Sequence, residues 1–121
     1  MIKRLGFFLM SFFFFHCTAQ EEVKSISTIE LKVLLEKGNV QLLDVRTPKE
    51  VKEGFIDTAF LINYFDTNFT NKVVQTFDKR KPVYVYCRSG NRSGKSARIL
   101  EEKGFEVYNV LGGYQQWRKE N

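Results

Sequence analysis

Two regimes of hydrophobic patterning meet near Gln20. Before it, Leu5 to Phe15 is a nearly unbroken apolar run behind Lys3 and Arg4. After it, apolar residues fall into short blocks divided by Gly, Pro and charged positions. Ser27-Thr28-Ile29-Glu30 has capping-box spacing and predicts a helix that buries Ile29, Val33 and Leu34 and stops at Gly38. The apolar run from Val40 to Val45, closed by Asp44 and Arg46, predicts a buried strand. Thr47-Pro48-Lys49-Glu50 is a second capping box with Pro at the first helical position, and its short helix stops at Gly54. A further strand is expected over 59–62. An amphipathic helix is expected over 69–77, through Phe69, Val73, Val74 and Phe77. After a turn at 79–82 come a strand over 83–86, a helix over 93–103 with Ala97, Ile99 and Leu100 inward, and a strand over 107–110. Gly112-Gly113 makes a turn into a last helix, 114–119, carrying Trp117.

Strands thus alternate with helices, which predicts an α/β fold around a mostly parallel sheet. In such sheets sites form at the carboxyl ends of strands, and Cys87 stands at one of those ends. No repeat, low-complexity tract or second domain is visible beyond the leader, and 121 residues suit one domain.

Composition changes the picture at the N-terminus. Six of the twelve Phe lie between positions 7 and 15, so the domain is less apolar than the 43% of the whole chain suggests. A charged start and an apolar stretch too short for a bilayer core of roughly 20 residues read as an export signal over 1–19, with a linker over 20–24 and the domain over 25–121. Cleavage after Cys17-Thr18-Ala19 gives a soluble mature chain; lipidation of Cys17 gives an anchored one. Phe14, Phe15 and His16 are not the small residues usual before a lipidated cysteine, which favours the soluble form. Either way the protein is expected outside the cytoplasm, periplasmic or otherwise. Loss of Lys3 and Arg4 lowers the formal charge from +5 to +3. Lys79-Arg80-Lys81 is the only basic run, so no nucleic-acid partner is expected. The only His and the second Cys precede Gln20. No metal and no cofactor are expected, and Cys87 has no disulfide partner in the mature chain.

The segment Cys87-Arg88-Ser89-Gly90-Asn91-Arg92-Ser93 therefore carries the chemistry. A thiol between a strand and a helix N-terminus, with two arginines beside it, sits where backbone N–H groups and positive charge stabilise a thiolate and attract an anion. Each residue also has a plainer reading. A cysteine after a strand is often a small buried hydrophobe. Arg88 can be a solvated loop residue. Arg92 can tie the loop to a carboxylate elsewhere. Ser89 and Ser93 can satisfy backbone groups, with Ser93 a candidate N-cap. Asp44 and Arg46 read as braces between loops, and Trp117 as packing.

Three motifs together resemble the rhodanese-like (sulfurtransferase) family. They are Leu42-Leu43-Asp44-Val45-Arg46-Thr47-Pro48-Lys49-Glu50 followed by Glu53-Gly54-Phe55-Ile56, the cysteine loop through Ser93, and Leu111-Gly112-Gly113 with Trp117 four residues on. Their order and spacing cover about residues 25–119. The resemblance implies a five-stranded parallel sheet flanked by helices and a persulfide on Cys87. It implies transfer of sulfane sulfur from thiosulfate or a similar donor to a thiol, cyanide or a protein acceptor. Arg88 and Arg92 would then hold the donor's sulfonate. One departure stands out: where the family commonly has Gly-His-Ile-Pro-Gly-Ala, this chain has Gly54-Phe55-Ile56-Asp57-Thr58-Ala59, so the loop shape there is open. Two rivals compete. A cysteine phosphatase or arsenate reductase resembles its relatives in a Cys-x5-Arg loop, whereas here Arg92 gives Cys-x4-Arg. A persulfide carrier or a non-enzymatic binding module is the other, although inactive rhodanese-like domains often lack the cysteine that this chain keeps.

Overall fold

The computed structural model describes residues 23–121; the expected leader, with His16 and Cys17, lies outside the described residues. Ser27 caps α1 (Thr28–Lys37) and Thr47 caps α2 (Pro48–Val51), both through complete capping boxes with Glu30 and Glu50. The remaining helices are α3 (Phe69–Thr76), α4 (Asn91–Glu102) and α5 (Gly113–Glu120). Five strands, β1 (Ser25–Ile26), β2 (Gln41–Asp44), β3 (Phe60–Leu61), β4 (Val83–Tyr86) and β5 (Val107–Val110), form one sheet in the order β1-β5-β4-β2-β3. Every pairing is parallel. The fold is the α/β architecture expected from the sequence, with the sheet all-parallel rather than mostly so. Among the described residues no helix is long and apolar enough to cross a membrane.

Alternation along β4 divides the core in two. Val83, Val85 and Cys87 face the layer of α3 and α4, where Phe69, Val73, Ala97 and Leu100 meet them. Tyr84 and Tyr86 face the layer of α1 and α5, with Leu31, Ile56 and Trp117. A strand covered on both faces must be apolar at successive positions, which is why Val83 to Tyr86 shows no polar break. The chain steps outward from β2 to β3, returns past β2 to β4, and then steps the opposite way to β5. Winding reverses between β2 and β4, so the crevice beyond their carboxyl ends lies at the switch point where α/β sheets place their sites.

Three expectations need correction. In α1 the inward face is not that of Ile29 and Val33, which are 66% and 48% exposed; Leu31 is buried, and the buried Thr28 donates its hydroxyl to Glu120. In α3, Val74 is exposed while Phe69, Val73 and Phe77 are buried. The helix after the cysteine begins at Asn91, two residues early, with Gly90 as its N-cap, so Ser93 is not a cap.

The departure at 54–59 has a measurable consequence. Thr58 has φ 71, a left-handed conformation in a β-branched residue, at the position where the family pattern has glycine. Such a conformation costs about 1–2 kcal/mol, part of which glycine's larger unfolded-state entropy cancels. Thr58→Gly is expected to raise stability by roughly 0.5–1 kcal/mol, read as the midpoint of urea unfolding. A midpoint that falls or stays put would mean the loop adapts to threonine without strain.

Candidate active site

The Cys87 side chain lies just past β4, in a residue only 1% exposed. The loop behind it turns back on the sulfur. The N–H of Gly90 donates to Sγ at 3.1 Å, and the Ser93 hydroxyl lies 3.3 Å from it. Gly90 has φ 122, a conformation that a side chain would resist, so glycine is what lets this amide point inward. Burial pushes the thiol pKa up. The Ser93 hydroxyl and the N–H groups of Ser93, Gly90 and Ser89 outweigh it, and the net shift is downward. Hydrogen bonds to the charged form of an acid favour that form, so the loop is built to hold an anion on sulfur.

This gives a pH prediction. A cysteine whose pKa is lowered by folding keeps its thiolate to lower pH than the ordinary value of about 8.5. Alkylation of Cys87 by iodoacetamide is therefore expected to rise with a midpoint below that of the same chain in denaturant. Ser93→Ala, which removes one donor, moves the midpoint up. Coincident folded and denatured midpoints would contradict the cradle.

Arg92 does not reach into the cradle as a free cation. Its two terminal nitrogens bond both oxygens of Glu50, each at 2.7 Å. Glu50 also accepts from the Thr47 N–H and hydroxyl in the α2 capping box. One carboxylate thus starts a helix on the β2 side of the crevice and anchors the cysteine loop on the β4 side. Arg92 holds the Glu50 carboxyl down at about 2 despite the opposing effect of burial, so the tie persists throughout the neutral range. Of the two readings of Arg92, the geometry is that of a tie to a carboxylate. Arg88 and Ser89 are exposed at the loop's outer side, and Asn91 opens α4.

Asp44 and Arg46 form a buried pair beneath the crevice. Arg46 Nε lies 3.0 and 3.1 Å from the two Asp44 oxygens and Nη2 lies 2.7 Å from Oδ2. The same Nη2 donates to the Gly54 carbonyl at 2.8 Å, and the guanidinium stacks 4.2 Å from the centre of the Tyr114 ring. The pair joins the 54–59 loop to α5, while the buried Tyr86 hydroxyl accepts from the Ile56 N–H. Trp117 is half-buried against the α1 layer, away from the sulfur.

Four contributors escaped the sequence reading. Glu50 was visible only as a cap. Asn109 on β5 donates its side-chain amide to the Gly90 carbonyl at 3.2 Å, and its buried Oδ1 has no partner among the described residues. Tyr114 and Gln115 donate their N–H groups to the Cys87 and Arg88 carbonyls at 2.8 and 3.0 Å. The start of α5 therefore takes up the outward carbonyls of the loop whose amides turn inward. Among the described residues, no group of His, Cys, Asp and Glu side chains is arranged to hold a metal ion.

A buried thiol in an amide-lined loop at the carboxyl end of β4 invites comparison with known proteins, and the description of the rhodanese-like domain matches residues 27–120. The chain belongs to the rhodanese-like domain family. This rhodanese-like chain is 40% identical to Bacillus subtilis YtwF over 82% of its length and 94% of that protein's. It is 34% identical to the thiosulfate sulfurtransferase GlpE of Coxiella burnetii, over 78% of this chain and 87% of that one. Among solved structures, a rhodanese-like domain protein from Staphylococcus aureus superposes with a TM-score of 0.70 at 40% identity, covering 78% of this rhodanese-like chain and 91% of that one.

Proposed function

We propose that this rhodanese-like domain is a sulfurtransferase working through a persulfide on Cys87. The observation that carries the reading is the cradle itself: Gly90 N–H and the Ser93 hydroxyl on a buried Sγ whose pKa they lower. The Cys87 thiolate attacks the outer sulfur of thiosulfate. The sulfur–sulfur bond of the donor breaks, and sulfite leaves with its electron pair. The new sulfur stays on Sγ. A nucleophilic acceptor, cyanide or a thiolate, then attacks the outer sulfur, the Sγ–S bond breaks, and the electron pair returns to Sγ. Sulfite is a competent leaving group in the first half, and the Cys87 thiolate, held by Gly90 N–H and the Ser93 hydroxyl, is one in the second, so neither half needs a general acid.

Arg88, exposed and without an ion-pair partner among the described residues, meets the donor's sulfonate in this scheme. Arg92, paired with Glu50, fixes the loop. Ser89 and Asn91 are read as loop residues, and Asp44, Arg46 and Trp117 as support. The phosphatase reading loses its main instrument, because the arginine that would clasp phosphate is already held by Glu50.

Intact mass spectrometry after exposure to thiosulfate tests the proposal. A gain of one sulfur that disappears with cyanide supports it; no gain overturns thiosulfate as donor. The same spectrum bears on the proposal that residues 1–19 direct export. Protein recovered from its native cell would start at Gln20, or carry lipid on Cys17; a chain that keeps Met1 would contradict export.

A further inference from the structure

A cleft of about 720 Å³ opens beside the cysteine loop, between α2 and α5. Arg88, the residue after the thiol, lines it, and so do Tyr114 and Gln115, whose amides hold the loop. Its size lies within the range of about 300–1,000 Å³ that suits a drug-sized molecule, and far exceeds the needs of thiosulfate. Its charge is one-sided. Lys49, Arg88, Arg118 and Lys119 line it, all exposed, and none forms an ion pair among the described residues. Arg46 and Glu50 also line it, but each is neutralised, by Asp44 and Arg92 respectively. Glu53 is the one lining carboxylate left over, so the surplus is positive.

We propose that this cleft binds the sulfur acceptor, and that it selects small thiols bearing at least two anionic groups over neutral or cationic ones. The inference rests on the persulfide reading of Cys87. An acceptor thiolate and the persulfide both carry negative charge, so their approach is opposed unless cations offset it. Arg88, the next residue in the chain after Cys87, brings one of these cations to the cysteine loop, while Lys49, Arg118 and Lys119 can meet the acceptor's own carboxylates or phosphates. The acceptor's thiolate then attacks the outer sulfur and departs as a persulfide, and Sγ regains its electron pair within the Gly90 and Ser93 donors. A small molecule fits better than a protein face because the charges line one concavity.

The test loads the full chain with thiosulfate, removes the excess, and follows discharge of the persulfide by three thiols at equal thiolate concentration. These are cysteamine, 2-mercaptoethanol and mercaptosuccinate, with the acceptor cationic, neutral and dianionic apart from its sulfur. At low ionic strength mercaptosuccinate is expected to react about tenfold faster than 2-mercaptoethanol, equivalent to about 1.4 kcal/mol, with cysteamine slowest. The advantage should shrink as salt brings the screening length to about 10 Å or less. In the triple variant Lys49→Gln, Arg118→Gln, Lys119→Gln the ratio of the two rates should approach one. Failure to load sulfur would defeat the persulfide reading. Normal loading with equal rates for the three thiols would defeat the cleft proposal alone. A rate advantage that survives in the triple variant would also defeat it.

Discussion

Serine in place of Cys87 is expected to bring sulfur transfer to background while the domain stays folded. The two effects separate because the side chain does two different things. As a packed group it fills a small volume between Val85 and the α3–α4 layer. Serine is close in size, and its hydroxyl can accept from Gly90 N–H and exchange a hydrogen bond with Ser93, both already in place. The free energy of unfolding should therefore change by no more than about 1 kcal/mol. As a nucleophile the thiolate has no substitute, because an alcohol at neutral pH is neither ionised nor able to hold a transferable sulfur. The measurements are sulfite release from thiosulfate and urea unfolding of the same preparation. Retained sulfite release would remove Cys87 from the reaction. Loss of fold would mean that the thiol is there for packing.

Gly113→Ala should damage both stability and sulfur transfer. A Cβ at Gly113 would lie 2.4 Å from the Cys87 carbonyl oxygen and 2.7 Å from that of Arg88. These are backbone atoms, so no side chain can swing aside. The backbone is also left-handed there, with φ +56, which costs a residue with a side chain about 1–2 kcal/mol. To relieve the contact, α5 must retreat and stretch the Tyr114 and Gln115 hydrogen bonds to the loop, worth about 1 kcal/mol each. The expected loss is about 3 kcal/mol, together with slower sulfur loading because the carbonyls that set the loop have moved. Gly38→Ala and Gly104→Ala supply the controls. Both positions have positive φ, but a Cβ at either meets nothing within 4 Å. They should lose only the backbone part, about 1–2 kcal/mol at Gly104 and about 1–3 kcal/mol at Gly38, whose ψ of 170 belongs to a region open essentially to glycine alone, with sulfur loading intact. If all three variants fall equally, the close approach of α5 to the cysteine loop does not matter.

Why some of this was legible and some was not follows from where the information lies. The cysteine loop is contiguous, so its thiol, its glycine and its arginines could be read together. Its supports could not. Glu50 belongs to a capping box forty-two positions from Arg92, and a capping box says nothing about a second partner. Asn109 sits in a run, Val107 to Val110, whose pattern speaks only of a strand. Tyr114 and Gln115 act through their backbone N–H groups, which side-chain identity does not announce. In α1 the failure was of another kind. Ile29, Leu31, Val33, Leu34 and Leu35 surround the helix with apolar residues, so periodicity singles out no face, and packing against α5 chose Leu31. β1 was missed because two residues cannot show an alternation; its strand character comes from pairing with Asn109 and Val110.

The brevity of the outer strands bears on behaviour at high concentration. β1 and β3 close the two edges of the sheet, and each is two residues long. Phe60 and Leu61 on β3 are half-exposed and apolar, the composition that invites another molecule to add a strand. With so few unpaired N–H and C=O groups in line, an incoming strand finds too little ladder to take hold. The domain can thus leave apolar side chains at its rim and still resist growing into a fibre.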